Sequence, residues 1–189
     1  DALSVNSERI CTVWQVHGND TIIVTDPSPD RSWLAKADGM VTDKLDTPLI
    51  MRCADCTPVL FHDPIRKVVG LAHAGWRGTV IGAATSVAET MMQTYCCKPT
   101  DIQAGIGVSI CPDCYQVGEE VVEAVQEHFG TLTGGLPDGP LVKRDPADGT
   151  AYFNLWSANK LDLQRIGLEQ IEVAGICTAC NTDEFYSHR

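Results

Sequence analysis

The stretch that decides the fold runs from Cys53 to Gly78 and reads CADCTPVLFHDPIRKVVGLAHAGWRG. It contains two apolar runs, Pro58–Phe61 and Val68–His73, each with the length of a buried strand, and a charged, proline-containing segment separates them. Cysteines precede the first run and a histidine ends the second, so chemically active side chains stand where strands give way to turns. Because a rigid sheet fixes the direction of such side chains, the stretch predicts a sheet with a functional site at its strand ends.

Upstream of this stretch, the segment Gln15-Val16-His17-Gly18 adds a second histidine at another predicted strand end. His17, Cys56 and His73 are separated by 39 and 17 residues, so packing of neighbouring strands must bring them together. Two imidazoles and a thiolate can hold one Zn²⁺ and leave the fourth tetrahedral position open, which is the arrangement of a catalytic metal. The sequence therefore predicts an enzyme whose metal-binding and catalytic residues are His17, Cys56 and His73.

The rest of the chain mixes strands and helices irregularly. Two β-rich runs, Thr12–Val16 and Thr21–Thr25, flank a polar turn and predict a hairpin. Further strands are predicted at Gly39–Thr42, Leu49–Cys53, Ile102–Ile110 and Ile171–Cys177, and helices at Thr79–Tyr95 (with Thr79 as N-cap), Glu119–Phe129 and Leu155–Leu168. Without a strict β-α-β alternation, an internal repeat or a linker, the pattern favours a single α+β domain with a mixed sheet.

The bulk composition argues against several classes of function. With 189 residues, 44% of them hydrophobic, the chain can form one domain with a real core, and no apolar run is long enough to suggest a membrane span. The net charge of −11 argues against nucleic acid or an anionic membrane as a partner. Nine cysteines fit a complete disulfide framework poorly, and no signal peptide follows Asp1, so we expect a cytoplasmic location. The oligomeric state stays open.

Six of the cysteines form C-x-x-C pairs, which leave two alternatives open. The pairs are Cys53/Cys56, Cys111/Cys114 and Cys177/Cys180. Such pairs build structural zinc sites, usually with about 12 to 20 residues between pairs, and the gaps here are much longer. A second, structural site formed by the last four cysteines stays open, as does a zinc-stabilised interaction module in which Cys53 completes the first site.

Arg77 lies in the turn Gly75-Trp76-Arg77-Gly78, just ahead of a predicted helix. Helix N-termini attract anions, so Arg77 is a candidate for binding phosphate. The competing interpretation is that Arg77 packs on Trp76 or pairs with an acidic residue.

Five motifs resemble, in order and from about Leu3 to Arg189, those of the laccase-domain family: QVHG, ADGMVTD, RCADCTPVLFHDP, GLAHAGWRGT and CTACNTDEFYSHR. The family was first described as multicopper polyphenol oxidase-like and is better described as purine nucleoside phosphorylases with adenosine deaminase activity. The resemblance implies a layered α/β/β/α sandwich with mixed β-sheets over residues 1–189, and metal ligands at His17, Cys56 and His73. The family pattern begins about 50 residues upstream of Asp1. The chain departs from the pattern at Val108, where the family shows proline, and at His188, where it shows tyrosine.

The function implied by the resemblance is a zinc-dependent purine nucleoside phosphorylase acting on adenosine, inosine and methylthioadenosine, with adenosine deaminase activity. The protein's partners would then be a purine nucleoside and phosphate. Arg77 and Arg189 are the residues expected to bind these substrates. Deamination has a physical route, because zinc lowers the pKa of water toward about 7 for attack on C6 of adenine. The alternative is a copper-dependent polyphenol oxidase (laccase), since one His/Cys/His set resembles a mononuclear copper site, although five histidines are few for a multicopper centre.

Overall fold

A six-stranded mixed sheet and a smaller three-stranded sheet organise the chain. The computed structural model describes residues 6–27, 32–130 and 139–189. The strands are β1 (Thr21–Ile23), β2 (Gly39–Thr42), β3 (Thr57–Asp63), β4 (Val68–Ala74), β5 (Gln103–Ile106), β6 (Gln116–Val117), β7 (Val142–Arg144), β8 (Ala151–Phe153) and β9 (Gln170–Val173). The helices are α1 (Trp76–Val80), α2 (Ala83–Tyr95), α3 (Glu119–Phe129) and α4 (Leu155–Arg165), preceded by a 3₁₀ turn at Ser7–Arg9.

The large sheet has the strand order β1-β2-β4-β3-β5-β9. Its central pairs are antiparallel, whereas the edge pairs β1–β2 and β5–β9 are parallel. The hairpin β3–β4 runs from Thr57 opposite Ala74 to Asp63 opposite Val68. At the closed end, the buried Asp63 carboxylate accepts hydrogen bonds from the backbone N–H groups of the two turn residues Ile65 and Arg66, each at 2.8 Å. The two predicted strands are confirmed, and the structure places them at the centre of the sheet.

Helix α2 covers one face of this sheet. Its buried residues pack on the inward side chains of β2, β3 and β4, together with Leu163 of α4 and Leu168. The approach is close, because a Cβ added at Gly39 or Gly70 would lie 2.7 Å from a methyl group of Val87. Burying side chains such as Val87 and Met91 stabilises the fold by about 1.5–3 kcal/mol each.

The second sheet has the order β6-β8-β7 and shares a separate core with α3 and the start of α4. Phe153 of β8 is completely buried there, and Trp76 packs against the same cluster. The side chain of Asn154 caps α4 by accepting a hydrogen bond from the N–H of Ser157 at 3.0 Å. This core lies beside the loop 107–115, so it fixes the second half of the chain next to the end of β4.

The structure confirms the predicted α+β class with mixed sheets. Strand Gly39–Thr42 and helix Glu119–Phe129 have the predicted bounds. Within the described residues, no helix has both the length and the apolar character needed to cross a membrane.

Three local predictions are wrong. Residues 12–16 and 21–25 do not form a hairpin, because β1 pairs in parallel with β2 and Trp14 forms a single bridge to Lys36. The predicted helix Thr79–Tyr95 is interrupted at Gly82, whose φ of 79° is left-handed, so α1 ends before α2 begins. In place of the strand Leu49–Cys53, the structure has one parallel bridge from Leu49 to Cys11.

Candidate metal centre

His17, Cys56 and His73 meet at the open end of the central hairpin. Cys56 immediately precedes β3 and His73 lies near the end of β4, so the pairing of Thr57 with Ala74 places both at the same edge. His17 reaches them from the loop before β1, and its ring centroid lies 5.0 Å from that of His73. One ligand atom from each of the three residues lies within 4.8 Å of the others. The structure therefore brings the three sequence-predicted ligands together.

Asp38 holds two of these ligands and was missed by the sequence reasoning. Its fully buried carboxylate accepts hydrogen bonds from the backbone N–H groups of Val16, His17 and Gly18 at 3.0, 3.1 and 2.8 Å. The same carboxylate lies 2.8 Å from Nδ1 of His73. The signal in the sequence is a charged residue set between Ala37 and the buried strand β2, where only a paired carboxylate is stable.

The Asp38 contacts also fix the tautomer of His73. Burial opposes ionisation of Asp38, but the hydrogen bonds from His73, Gly18 and Val16 hold the pKa of the carboxyl below its usual value. An ionised carboxylate only accepts, so Nδ1 of His73 carries the proton and Nε2 keeps its lone pair for a metal. Burial lowers the pKa of His73, and Asp38 only partly offsets this, so the ring is neutral at pH 7.

Cys56 and Gly75 lie against each other at this centre. Burial, together with the charges of Asp55 and Asp38, raises the pKa of the Cys56 thiol to about 11. A Cβ on Gly75 would lie 2.7 Å from Sγ of Cys56 and 3.4 Å from Cδ2 of His17, so glycine is required here by close approach. Cys53 is half-buried nearby but is not among the residues whose ligand atoms meet. The donor set thus has the composition of a three-ligand zinc site with one position open.

Two residues in the loops that carry the candidate ligands have a left-handed backbone conformation. His17 has a φ of 60° and Asp55 a φ of 74°, both in the left-handed region that is strained for residues with a Cβ. The Asp38 hydrogen bonds hold the first conformation. The second is held by the Asp55 carboxylate, which accepts from the Thr178 hydroxyl at 2.6 Å and from the backbone N–H of His188 at 2.7 Å. Strain of this kind is maintained only where the surroundings enforce it, and here both strained residues lie at or beside a candidate ligand.

Comparison with known proteins identifies the family. The sequence model of the family described as multi-copper polyphenol oxidoreductase laccase matches residues 1–189. The chain belongs to this family.

The proteins to which this chain is similar include named enzymes. The chain is 36% identical over 159 residues to purine nucleoside phosphorylase YlmD of Bacillus subtilis, covering 82% of this chain and 54% of that protein. It is 36% identical over 159 residues to adenosine deaminase RL5 of an unknown prokaryotic organism, covering 82% of this chain and 58% of that one. The crystal structure of YlmD from Geobacillus stearothermophilus superimposes with a TM-score of 0.85 and 36% identity, covering 96% of this chain and 68% of that chain. The chain thus spans between about half and two thirds of the length of these relatives.

The two arginines predicted to bind substrate are not among the residues whose ligand atoms converge, and each lies over an aromatic ring. Arg77 lies on α1, with its guanidinium carbon 4.4 Å from the ring centroid of Trp76 and Nη2 3.7 Å from a carboxylate oxygen of Glu120. Arg189 lies 5.7 Å from the ring centroid of Tyr115 and donates to the carbonyl oxygen of Gln116 at 3.0 Å. Both guanidinium groups are exposed or partly so, and the stacking of Arg77 on Trp76 is the contact that the competing interpretation expected.

Tyr115 is a second residue at the laccase-family site that the sequence reasoning missed. Burial raises the pKa of its phenol to about 12, negative charge at Cys56 and Asp55 adds to this rise, and Arg189 and Arg77 oppose it. The charges of Cys56 and of both arginines thus act on this phenol, and the Arg189 guanidinium lies over its ring. The motif Cys114-Tyr115-Gln116 carried no signal for this by itself, because the contact depends on how the loop packs.

A cavity of about 880 Å³ lies elsewhere, on the face of the large sheet that α2 does not cover. Its lining includes the apolar side chains of Leu60, Val69 and Leu71 and the acidic side chains of Glu169 and Glu172, and it shares no residue with the ligand cluster. Size alone does not make a catalytic site. We assign the candidate active site to the His/Cys/His cluster, because that is where metal-binding groups converge.

Proposed function

We propose that the chain is a laccase-like purine nucleoside phosphorylase domain, extending over residues 1–189, that binds zinc through His17, Cys56 and His73. It cleaves adenosine, inosine and methylthioadenosine with phosphate, giving the free base and the ribose 1-phosphate, and it also deaminates adenosine. The observation that carries the proposal is the convergence of the three ligand atoms within 4.8 Å at a strand-end site with one coordination position left for substrate. The names of YlmD and RL5 support the two activities.

Residues next to the three candidate ligands fix the orientation of the ligand side chains and place a carboxylate beside them. When bound there, zinc supplies Lewis-acid chemistry and activates water near pH 7. Asp38 fixes the tautomer and ring orientation of His73, and Gly75 allows Cys56 to stand beside both imidazoles. The Asp55 carboxylate, whose two oxygens are engaged by Thr178 and His188, positions the Cys56 turn rather than transferring a proton.

Phosphate binding is assigned to Arg77 and Arg189. Phosphorolysis requires an anion held against C1′ of the ribose while positive charge develops on the sugar. The charges of both arginines and of Cys56 act on the pKa of Tyr115, and the Arg189 guanidinium carbon lies 5.7 Å from the centroid of the Tyr115 ring, which supports an anion site near the proposed metal centre. The Arg77–Glu120 contact is long, at 3.7 Å, and solvent-exposed, so it contributes little and leaves Arg77 available for a charged ligand.

The older family name suggests a copper-dependent polyphenol oxidase as an alternative. A laccase passes electrons through several coppers held by many histidines. This chain has five histidines, all within its described part, and only His17 and His73 belong to the ligand cluster. His128, for example, pairs with Asp162 at 2.7 Å, away from the centre. The histidine count therefore favours the nucleoside reaction.

A zinc-stabilised interaction module is the second alternative. It would need a fourth protein ligand to close the site, and the expected residue, Cys53, is outside the ligand cluster. Three protein ligands leave one coordination position for water or substrate, and this favours an enzyme. The acidic net charge of −11 supports a small-molecule substrate rather than nucleic acid or an anionic membrane, and nine free cysteines support a cytoplasmic location.

The test is product analysis of the zinc-loaded protein. Adenosine and inosine are incubated with and without phosphate, and base, ribose 1-phosphate and inosine are separated by chromatography. We expect base release only with phosphate, inosine formation from adenosine without it, and loss of both in His17→Ala. Equal base release without phosphate would indicate hydrolysis, and oxygen uptake with a phenol in place of nucleoside turnover would establish the oxidase.

A further inference from the structure

Four cysteines outside the candidate active site converge from two distant parts of the chain. Cys111 and Cys114 lie in the loop after β5, whereas Cys177 and Cys180 follow β9. The two loops are joined by a parallel bridge between Ser109 and Cys177. The four sulfur atoms all lie within 4.8 Å of one another, and Sγ of Cys114 is 3.5 Å from Sγ of Cys180.

These distances are close to those of a tetrahedral metal site. With Zn–S bonds of about 2.3 Å, tetrahedral geometry places sulfur atoms about 3.8 Å apart. Small rotations of the Cys side chains are therefore enough to bring all four sulfurs to the required separation. Of the common metals, zinc and iron are those that four thiolates select.

The backbone around the sulfurs is also organised for ligation. Each Cys pair spans a turn, and in the first the N–H groups of Cys114 and Tyr115 donate to the carbonyl oxygen of Cys111 at 3.1 and 3.0 Å. The N–H of Cys111 donates to Sγ of Cys177 at 3.2 Å. Hydrogen bonds of this kind orient a sulfur ligand and stabilise its negative charge.

Ordinary packing explains only part of the cluster. Cys177 is buried and belongs to the second core, as a small hydrophobic residue would. Cys180, however, is exposed, and Cys111 and Cys114 are only half-buried. Four thiols gathered at a partly exposed position gain little from burial, whereas each gains a metal bond if an ion is present.

We propose that Cys111, Cys114, Cys177 and Cys180 bind one structural Zn²⁺, distinct from the metal at His17, Cys56 and His73. The site ties the C-terminal segment to the loop 107–115. That segment contacts the active site, because Thr178 and His188 both donate to the Asp55 carboxylate beside Cys56. The ion therefore fastens the segment that holds the Cys56 turn in its left-handed conformation.

Metal stoichiometry of the purified protein tests the proposal. We expect about two zinc ions per wild-type chain and about one in Cys56→Ala, in which the four-Cys site is intact. Cys111→Ser/Cys180→Ser should also retain about one, and the matched control Cys96→Ser, which removes an exposed thiol outside the cluster, should retain about two. A wild-type chain with a single zinc that Cys56→Ala removes would overturn the proposal.

Cobalt substitution gives a readout that does not depend on activity. Cys56→Ala loaded with Co²⁺ should show the intense thiolate-to-cobalt charge transfer of a four-sulfur site, and Cys111→Ser/Cys180→Ser should lose it. If the double variant does not fold, Cys180→His keeps a fourth ligand and should bind cobalt with a weaker charge-transfer band. Iron in place of zinc, or an intact mass lower by two hydrogens from a Cys114–Cys180 disulfide, would each contradict the assignment.

Discussion

Nδ1 of His73 lies 2.8 Å from Oδ1 of Asp38, and side-chain exposures of 4% and 0% place the pair inside the protein. The carboxylate that accepts from the ring also accepts from three successive N–H groups of the loop that carries His17. One buried charge thus orients two proposed metal ligands that are 56 residues apart in the chain. Asp38 is a positioning residue, and its substitution should alter the metal centre without removing a ligand.

Asp38→Asn should weaken zinc binding at the His/Cys/His centre about 10- to 100-fold. An amide can accept from His73 with its oxygen, but its NH₂ group then faces the backbone N–H groups of Val16 and Gly18. Chelator competition, in the Cys111→Ser/Cys180→Ser background so that only one centre is measured, gives the affinity. The matched control is Asp63→Asn, which also changes a fully buried, turn-capping carboxylate but lies at the other end of the hairpin. Equal affinities for the two variants would contradict the role of Asp38.

Gly75→Ala should displace the Cys56 sulfur and reduce zinc affinity, because the new Cβ would lie 2.7 Å from Sγ. A contact this close requires movement, and a shift of a ligand by a few tenths of an ångström distorts a tetrahedral site. Gly105→Ala in β5 is the control, since a Cβ there meets nothing within 4 Å. Isothermal titration with zinc compares the two. Unchanged affinity in Gly75→Ala would mean that the Cys56 turn is free to adjust.

Asp63 should make stability sensitive to acid. Burial opposes its ionisation, but the hydrogen bonds that the N–H groups of Arg66 and Ile65 donate to one carboxylate oxygen help to outweigh this, and the pKa is lowered. A lowered folded-state pKa stabilises the fold above the unfolded value of about 3.9, and this stability is lost as pH falls further. Asp63→Asn should therefore cost about 1–2 kcal/mol at pH 7 and show a shallower loss of stability in acid.

Urea denaturation between pH 7 and pH 3 measures this effect of Asp63. Asp183→Asn, which alters an exposed carboxyl, should leave the pH profile unchanged. Parallel profiles for wild type and Asp63→Asn would show that the Asp63 charge does not contribute.

Arg77→Ala should raise the apparent KM for phosphate about 30- to 150-fold, corresponding to about 2–3 kcal/mol, because a charge-assisted contact with the anion is lost. Adenosine deamination, which needs no phosphate, should be largely retained. Glu120→Gln is the control: it removes the exposed ionic partner of Arg77 and should leave phosphate KM unchanged. If Arg77→Ala instead lowers the melting temperature and both activities equally, its role is to pack on Trp76.

The sequence could predict the parts of this structure that depend on local pattern. Apolar runs identified β3 and β4 and helical spacing identified α3, while the ligand types selected His17, Cys56 and His73, whose side chains converge, as candidates for a metal site. The sequence could not reveal Asp38 or Tyr115, because the groups that act on them lie 20 or more residues away in the chain. The hairpin predicted at 12–25 failed for the same reason, since the Asp38 carboxylate and the Asp20 carbonyl bind this loop to the start of β2.

The topology of the central hairpin also has a consequence for the order of folding. Strands β3 and β4 are joined by a four-residue turn, so their contacts are local and should form early, whereas the parallel edge strands must wait for distant chain segments. Cys56 and His73 flank the open end of this hairpin, whereas His17 lies in the loop before β1 and is held there by Asp38. In the proposed zinc site, Cys56 and His73 would therefore be positioned first, and His17 would complete the ligand set when its loop docks on Asp38.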